Sequence, residues 1–194
     1  MKMGSNSNTT ITENKNLNKT MSAKRIVRCA FFAALLCVAA YISFPLPLPG
    51  APKITMINFV LFLIALLFPL ADSIMIVAVW FLLGLVGVPV YIGGGSGVGY
   101  LVNPYGFYTM AFPIVAIVLP LIRGAKYNRI RYTICAIIGV LIIDLIGMIY
   151  LKIQMNYDLK TALLIGFVSF LPLDIVKAVI VAQIIPAFNR VMQA

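Results

Sequence analysis

The sequence predicts an all-α integral membrane protein, a bundle of six transmembrane helices with no soluble domain. Three observations predict it. Of 194 residues, 62% are hydrophobic and only 10% are charged, where a soluble domain carries about 25% charged residues. Mean hydropathy is +1.05. Long apolar runs follow one another from Ile26 onward, and the cations behind the net charge of +10 sit between them. Basic soluble proteins point to nucleic acid, but cations spaced between spans orient a chain in a bilayer instead.

Residues 1–21 are polar and cannot bury a core, so they predict a disordered tail. Their opening, Met-Lys-Met-Gly-Ser, reads in part as an expression scar. Residues 22–190 form the predicted membrane domain. Its first apolar run, Ile26 to Phe44, follows Lys24, Arg25 and Arg28. That run is long enough to span and ends in a proline-rich stretch, Pro45 to Pro52, not in a cleavage site. The stretch must be non-helical.

Ile54 to Ile92 is 39 nearly unbroken apolar residues. As one helix it would reach about 58 Å, far beyond the ~30 Å hydrocarbon core, so it folds back. The break falls at Pro69, with Asp72 as a candidate cap for the next helix. Helices two and three are predicted at 54–70 and 72–90. Helix four is predicted from Pro104 to Ile122, helix five over 131–150 and helix six over 160–186 with Pro172 inside. Cys29, Cys37 and Cys135 all lie in apolar runs and read as small core residues.

Loop charges set the orientation. With the N-terminus inside, the inner segments hold Lys2, Lys15, Lys19, Lys24, Arg25, Arg28, Arg123, Lys126, Arg129, Arg131 and Arg190, while the outer loops hold only Lys53, Lys152 and Lys160. Both termini are expected on the cytoplasmic side of the cell membrane. The Gly-rich and Pro-rich loops then share the outer face.

Asp174 and Lys177 lie midway along helix six, and their i,i+3 spacing puts them on one helix face. Charges at this depth cost about 2.5–3.5 kcal/mol each by insertion scales, so they point inward and have partners. They form either a structural ion pair or a site for a polar ligand. Asn103 before Pro104 reads as a helix cap, and the same helix terminus could offer donors to a ligand. Gly93, Gly94, Gly95, Gly97 and Gly99 match neither a Walker A loop nor a dinucleotide fingerprint. They allow close backbone approach, or simply a flexible loop. Tyr91, Tyr100, Tyr105 and Tyr108 flank them, as an interfacial belt or as pocket walls. Asn58 and Asp144 read as hydrogen-bond partners inside the bundle. Ala30 and Ala34 form a small-xxx-small pair.

Taken together, the stretch GLVGVPVYIGGGSGVGYLVNPYGFY from Gly84 to Tyr108, the FLPLDIVKA segment, the short six-helix chain and the Ala30/Ala34 pair resemble the BioY family. That family comprises the biotin-specific S-components of energy-coupling factor (ECF) transporters. The resemblance covers roughly residues 22–190. One departure is KITMINF, residues 53–59, where many relatives are more polar. The resemblance implies the six-helix S-component fold in a bacterial cell membrane, with biotin as transported ligand and no cofactor. It implies an outward-facing site built from Asp174, Lys177, Asn103, Gly94, Gly95, Tyr91, Tyr100 and Tyr105. It further implies docking of Ala30 and Ala34 on a transmembrane coupling protein that works with two cytosolic ATPases. The alternative is a subunit or solo carrier for a different vitamin-like solute. An intramembrane enzyme is disfavoured by five acidic residues and no histidine.

Overall fold

The structure is a computed structural model that describes residues 23–45, 53–104 and 106–193, with Gln193 described by its backbone only. The N-terminal tail, most of the Pro-rich stretch and Tyr105 lie outside the described residues. Helix α1 spans Ala23–Ala39 and buries Cys29, Phe32, Ala33, Leu36 and Ala39, the i, i+3/i+4 stripe of an amphipathic helix. Its opposite face exposes Ala30, Phe31, Ala34 and Val38. The chain then forms a hairpin, β1 (Ser43–Pro45) paired antiparallel with β2 (Lys53–Thr55). Met56 N–H donates to the Ile42 carbonyl and fastens the base of this hairpin (3.0 Å).

Helix α2, Ile57–Leu67, is the buried centre of the bundle; Phe59 alone of its residues is not buried. At ~16 Å long it falls well short of the ~30 Å core. The predicted helix over 54–70 was too long at both ends: Ile54 and Thr55 pair in β2, and the helix stops at Leu67, with Phe68 extended ahead of Pro69. Helix α3, Leu70–Leu85, is capped by Pro69 in extended conformation, not by Asp72. Asp72 instead accepts from Arg25 Nε at 2.7 Å and ties α3 to α1.

A tight turn at Ile92–Gly94 and a short helix α4, Gly97–Leu101, lead into α5, Phe107–Ile122. The predicted start at Pro104 with an Asn103 cap is corrected: Gly106 is the N-cap, and the Asn103 carbonyl accepts from Gly106 N–H in the preceding turn. A Cβ at Gly106 would lie 1.8 Å from the Tyr100 carbonyl oxygen, so the chain passes itself here before it can coil. Helix α6 runs Arg129–Met155, begun by the Asn128 side chain accepting from Ile130 and Arg131 N–H and ended by Asn156 in the left-handed region (φ 50°). It is longer than the predicted 131–150, since Lys152 and Gln154 continue the helix with exposed side chains.

The last predicted helix is interrupted. Helix α7, Leu159–Leu163, passes through a π-turn at Leu164–Val168 into α8, Leu171–Gln193. Pro172 therefore sits in the first turn of α8, where its missing N–H has no intrahelical partner to lose. Arg129–Met155 and the continuous stretch Leu159–Met192 are long and apolar enough to cross a bilayer; 57–67, 70–85 and 107–122 are shorter apolar helices. The outer surface is apolar as well. Phe31, Leu82, Leu121, Ile149 and Val176 are all more than half exposed, a distribution that suits lipid and not water.

In lipid, apolar burial alone gives helices little reason to associate, so close packing and internal hydrogen bonds must hold the bundle. Ser73 Oγ donates to the Ala116 carbonyl (2.9 Å), and the Trp80 indole to Val90 (2.9 Å). Gly147 makes room for Tyr108, since a Cβ there would lie 2.0 Å from the Tyr108 ring. The Tyr108 hydroxyl in turn donates to the Gly166 carbonyl at 2.7 Å. Gly147→Ala is expected to lower stability by about 1–3 kcal/mol through overpacking. Thermal unfolding in detergent checks this; an unchanged midpoint would mean that the ring has slack.

Candidate functional site

A cavity of about 410 Å³ opens beneath the hairpin and the glycine turn. Its walls come from β2, α2, the Gly93–Gly95 turn, α4, α5, α6 and α8. Asn58, Asp144 and Asp174 form its polar floor, at 7%, 2% and 4% exposure. Tyr108, Phe112 and Phe170 supply buried aromatic wall, and Lys53 and Asn103, both exposed, stand at the rim.

Asp174 lies in the first turn of α8. Its Oδ1 pairs with Lys177 Nζ at 2.5 Å, and its Oδ2 accepts from Asn58 Nδ2 at 3.2 Å. Lys177 also donates to the Thr55 carbonyl at 3.0 Å. The hydroxyl oxygen of Thr55 accepts from Ile57 N–H at 3.1 Å and so satisfies one of the orphan donors that begin α2. One ion pair therefore joins α8 to α2 and to the hairpin. The i,i+3 spacing puts both charges on one face, as the sequence predicts. Only Asp174 of the two lines the cavity; the long stem of Lys177 carries its ammonium to the strand.

The glycine turn is built for close approach. Gly93 and Gly94 take φ of 70° and 81°, a region that favours glycine. A Cβ on Gly95 would lie 2.2 Å from the Tyr100 ring. Gly94, Gly95, Tyr100 and Asn103 all line the cavity. Tyr91 does not. It is wholly buried one layer behind, stacked on Tyr100 with centroids 5.4 Å apart, its hydroxyl donating to the Phe81 carbonyl at 2.6 Å. Gly84 admits that ring, since a Cβ there would lie 2.2 Å from it. Burial pushes the Tyr91 and Tyr100 phenols up to about 12, so both stay protonated donors at neutral pH. Tyr105 lies outside the described residues.

The sequence did not place Lys53, Asn58, Phe112, Asp144 or Phe170 at this site. Asp144 carried a signal, a carboxylate inside an apolar helix, and so did Asn58. The others are ordinary residues of a strand or of apolar segments, which only the packing brings to one cavity. An acceptor-rich floor, aromatic walls and a cationic rim suit a small ligand with hydrogen-bond donors at one end and an anion at the other.

Comparison with known proteins follows this geometry. The family model described as "BioY family" matches residues 12–194. The "Biotin transporter BioY" of Thermotoga maritima is 32% identical over 161 residues, covering 83% of this chain and 93% of that protein. The "Probable biotin transporter BioY" of Pyrococcus horikoshii is 32% identical over 166 residues, covering 84% and 96%. The "Biotin transporter BioY2" of Lactococcus lactis is 29% identical over 153 residues, covering 78% and 82%. A crystal structure of the S-component for biotin from an ECF-type ABC transporter matches with a TM-score of 0.79 at 24% identity, over 89% of this chain and 94% of that one. The bundle therefore has that fold.

The ion pair makes a testable prediction. Asp174→Asn leaves Lys177 buried without its counter-charge and should cost about 3–5 kcal/mol of stability. Adding Lys177→Met should restore much of it. Thermal unfolding of the single and double variants checks this, and a single variant as stable as the parent would contradict it.

Proposed function

The chain belongs to the BioY family, and from that membership we propose that it is the membrane-embedded biotin-binding subunit of an ATP-driven vitamin uptake system. The family is one of transporter components, not of enzymes. The observation that carries the reading is the cavity: a buried polar floor of Asn58, Asp144 and Asp174 under aromatic walls, with Lys53 and Asn103 at the open rim. Biotin has complementary ends. Its ureido ring carries two N–H donors, its thioether bicycle is apolar, and its tail ends in a carboxylate. The ureido head enters first, toward the acceptor floor; the bicycle lies between Tyr108, Phe112 and Phe170; the carboxylate stays at the rim near Lys53 and Asn103. Gly94, Gly95 and Tyr100 close the side. Lys177 and Tyr91 act from behind, one by holding Asp174 and β2, the other by backing Tyr100.

The subunit spans the cell membrane of a bacterium with six segments: α1, α2 with its flanking residues, α3, α5, α6 and the α7–α8 stretch. Both termini are cytoplasmic, which puts the basic 123–131 segment inside and the cavity mouth outside. The partners are a transmembrane coupling protein and two cytosolic ATPases, since this chain carries no Walker motif. Ala30 and Ala34 are exposed on α1 and flanked by the exposed Val27, Phe31 and Val38, which supports this face as the docking surface for the coupling protein. Small side chains there let a partner helix approach closely.

The test has two arms. The purified subunit should bind biotin by calorimetry, and uptake in cells should require the ATPase partners. Ala30→Trp or Ala34→Trp should block assembly with the coupling protein and leave biotin affinity within about twofold, since neither residue touches the cavity. Loss of binding with assembly kept would assign these alanines to internal packing, and uptake without the ATPases would make the chain a solo carrier.

A further inference from the structure

The segment between α5 and α6 gathers cations without a counter-charge. Residues 123–131 carry Arg123, Lys126, Arg129 and Arg131 and no acidic residue. Among the described residues none of the four forms an ion pair; the two pairs present join Arg25 to Asp72 and Lys177 to Asp174. Arg123 turns inward. Its Nη1 donates to the Tyr132 hydroxyl at 2.7 Å and its Nη2 to the Phe68 carbonyl at 2.9 Å. Lys126, Arg129 and Arg131 are exposed. Arg129 and Arg131 lie in the first turn of α6, which holds no acidic residue. A cation there meets the positive end of the helix dipole, the end that favours an anion. Gathering these like charges is unfavourable, and no carboxylate of the described residues offsets it.

One of these cations is held in place. Arg131 Nε donates to the Ile122 carbonyl at 2.9 Å. Its guanidinium lies against Gly124, where a Cβ would come 2.6 Å from Nη1 and where φ is 76°. Anchored through Nε, the fork keeps its two Nη groups for an oxyanion, the partner its geometry suits. The Asn128 side chain already takes the Ile130 and Arg131 N–H groups, so side chains and not a bare helix end would hold the anion. The surface alongside is apolar: Leu121 on α5 and Ile130 and Ile134 on α6 are all more than half exposed. We propose that this segment binds the headgroup of an anionic phospholipid, its phosphate on Arg129 and Arg131 with Lys126 beside them, its acyl chains along Leu121, Ile130 and Ile134. A phospholipid matches both halves of the surface, where a free anion would match only the cations. The excess of positive charge selects a lipid of net negative charge, because the same cations repel the ammonium of a zwitterionic one. None of these residues lines the cavity, so the inference stands apart from the biotin reading.

The test mixes the purified, delipidated subunit with equal amounts of phosphatidylglycerol and phosphatidylcholine and counts the retained lipids by native mass spectrometry. The parent should prefer phosphatidylglycerol. Arg129→Gln with Arg131→Gln should lose about ten- to thirtyfold of that preference, the scale of two basic side chains at an anionic membrane surface. Lys152→Gln with Lys160→Gln removes the same charge from exposed lysines elsewhere and should keep the preference within about twofold. Should the arginine variant unfold, Lys126→Gln with Arg129→Gln replaces it; among the described residues neither side chain bonds to the protein, and the preference should again fall. Equal losses in the arginine and lysine variants would overturn the proposal, since that pattern marks delocalised attraction by net charge. So would an arginine variant with the preference intact. Displacement of the lipid by inorganic phosphate would assign the cations to a soluble anion instead. A parent without any preference would also overturn it, and if the arginine variant then lost assembly with the coupling protein, the cations would belong to a protein contact.

Discussion

The charged knot at the start of α8 constrains the rest of the site. A carboxylate and an ammonium in an apolar bundle must find their partners inside it. Asp174 and Lys177 do so with each other, with Asn58 on α2 and with the Thr55 carbonyl on β2. Each bond fixes a different element. The bond to Asn58 sets the amide on the cavity floor. The bond to Thr55 holds the strand that roofs the cavity, and the Thr55 hydroxyl begins α2. Such a pair is weak evidence for stability by itself, because desolvation offsets much of its attraction. Its value here is positional: it ties polar groups of Thr55 and Asn58 to α8, 122 and 116 residues away in sequence, around one cavity.

Close approach does the remaining work. Gly84, Gly95 and Gly147 lie directly against the rings of Tyr91, Tyr100 and Tyr108. Trp80 meets Tyr91 edge-on with centroids 5.4 Å apart, and Tyr91 stacks on Tyr100 at 5.4 Å. This row carries the packing of α3 through the Gly-rich turn to the cavity wall. On the far side, Tyr108 is fixed by Gly147 beneath it and by the Gly166 carbonyl at the π-turn. The irregular backbone of that turn thus holds an aromatic wall residue. Packing within the bundle fixes these walls, which lowers the ordering cost of binding a ligand.

The helical membrane class was legible because it follows from composition and run length alone. Asp174 was legible because a charge in an apolar helix is conspicuous. Other features depend on packing across the bundle, which spacing does not encode. The Lys177 ammonium reaches a carbonyl 122 residues away in sequence. Tyr91 and Tyr100 look alike beside a glycine run, yet one lines the cavity and the other supports it from behind. Asp144 stood out as a buried charge, but its place beside Asn58 and Asp174 needs α2, α6 and α8 in register. Helix boundaries failed where hydropathy misleads: Ile54 opens a long apolar run yet lies in a strand, and the apolar segment Leu164–Val168 is a π-turn and not regular helix.

The central claim is that this cavity holds biotin, and the most direct test is the identity of the ligand the protein retains. The purified subunit would be incubated with a mixture of biotin and other water-soluble vitamins, desalted and denatured. The released solute would then be identified and counted by mass spectrometry. The account predicts one biotin per chain and no other vitamin. Release of a different solute, or of none while the protein remains folded, would contradict it.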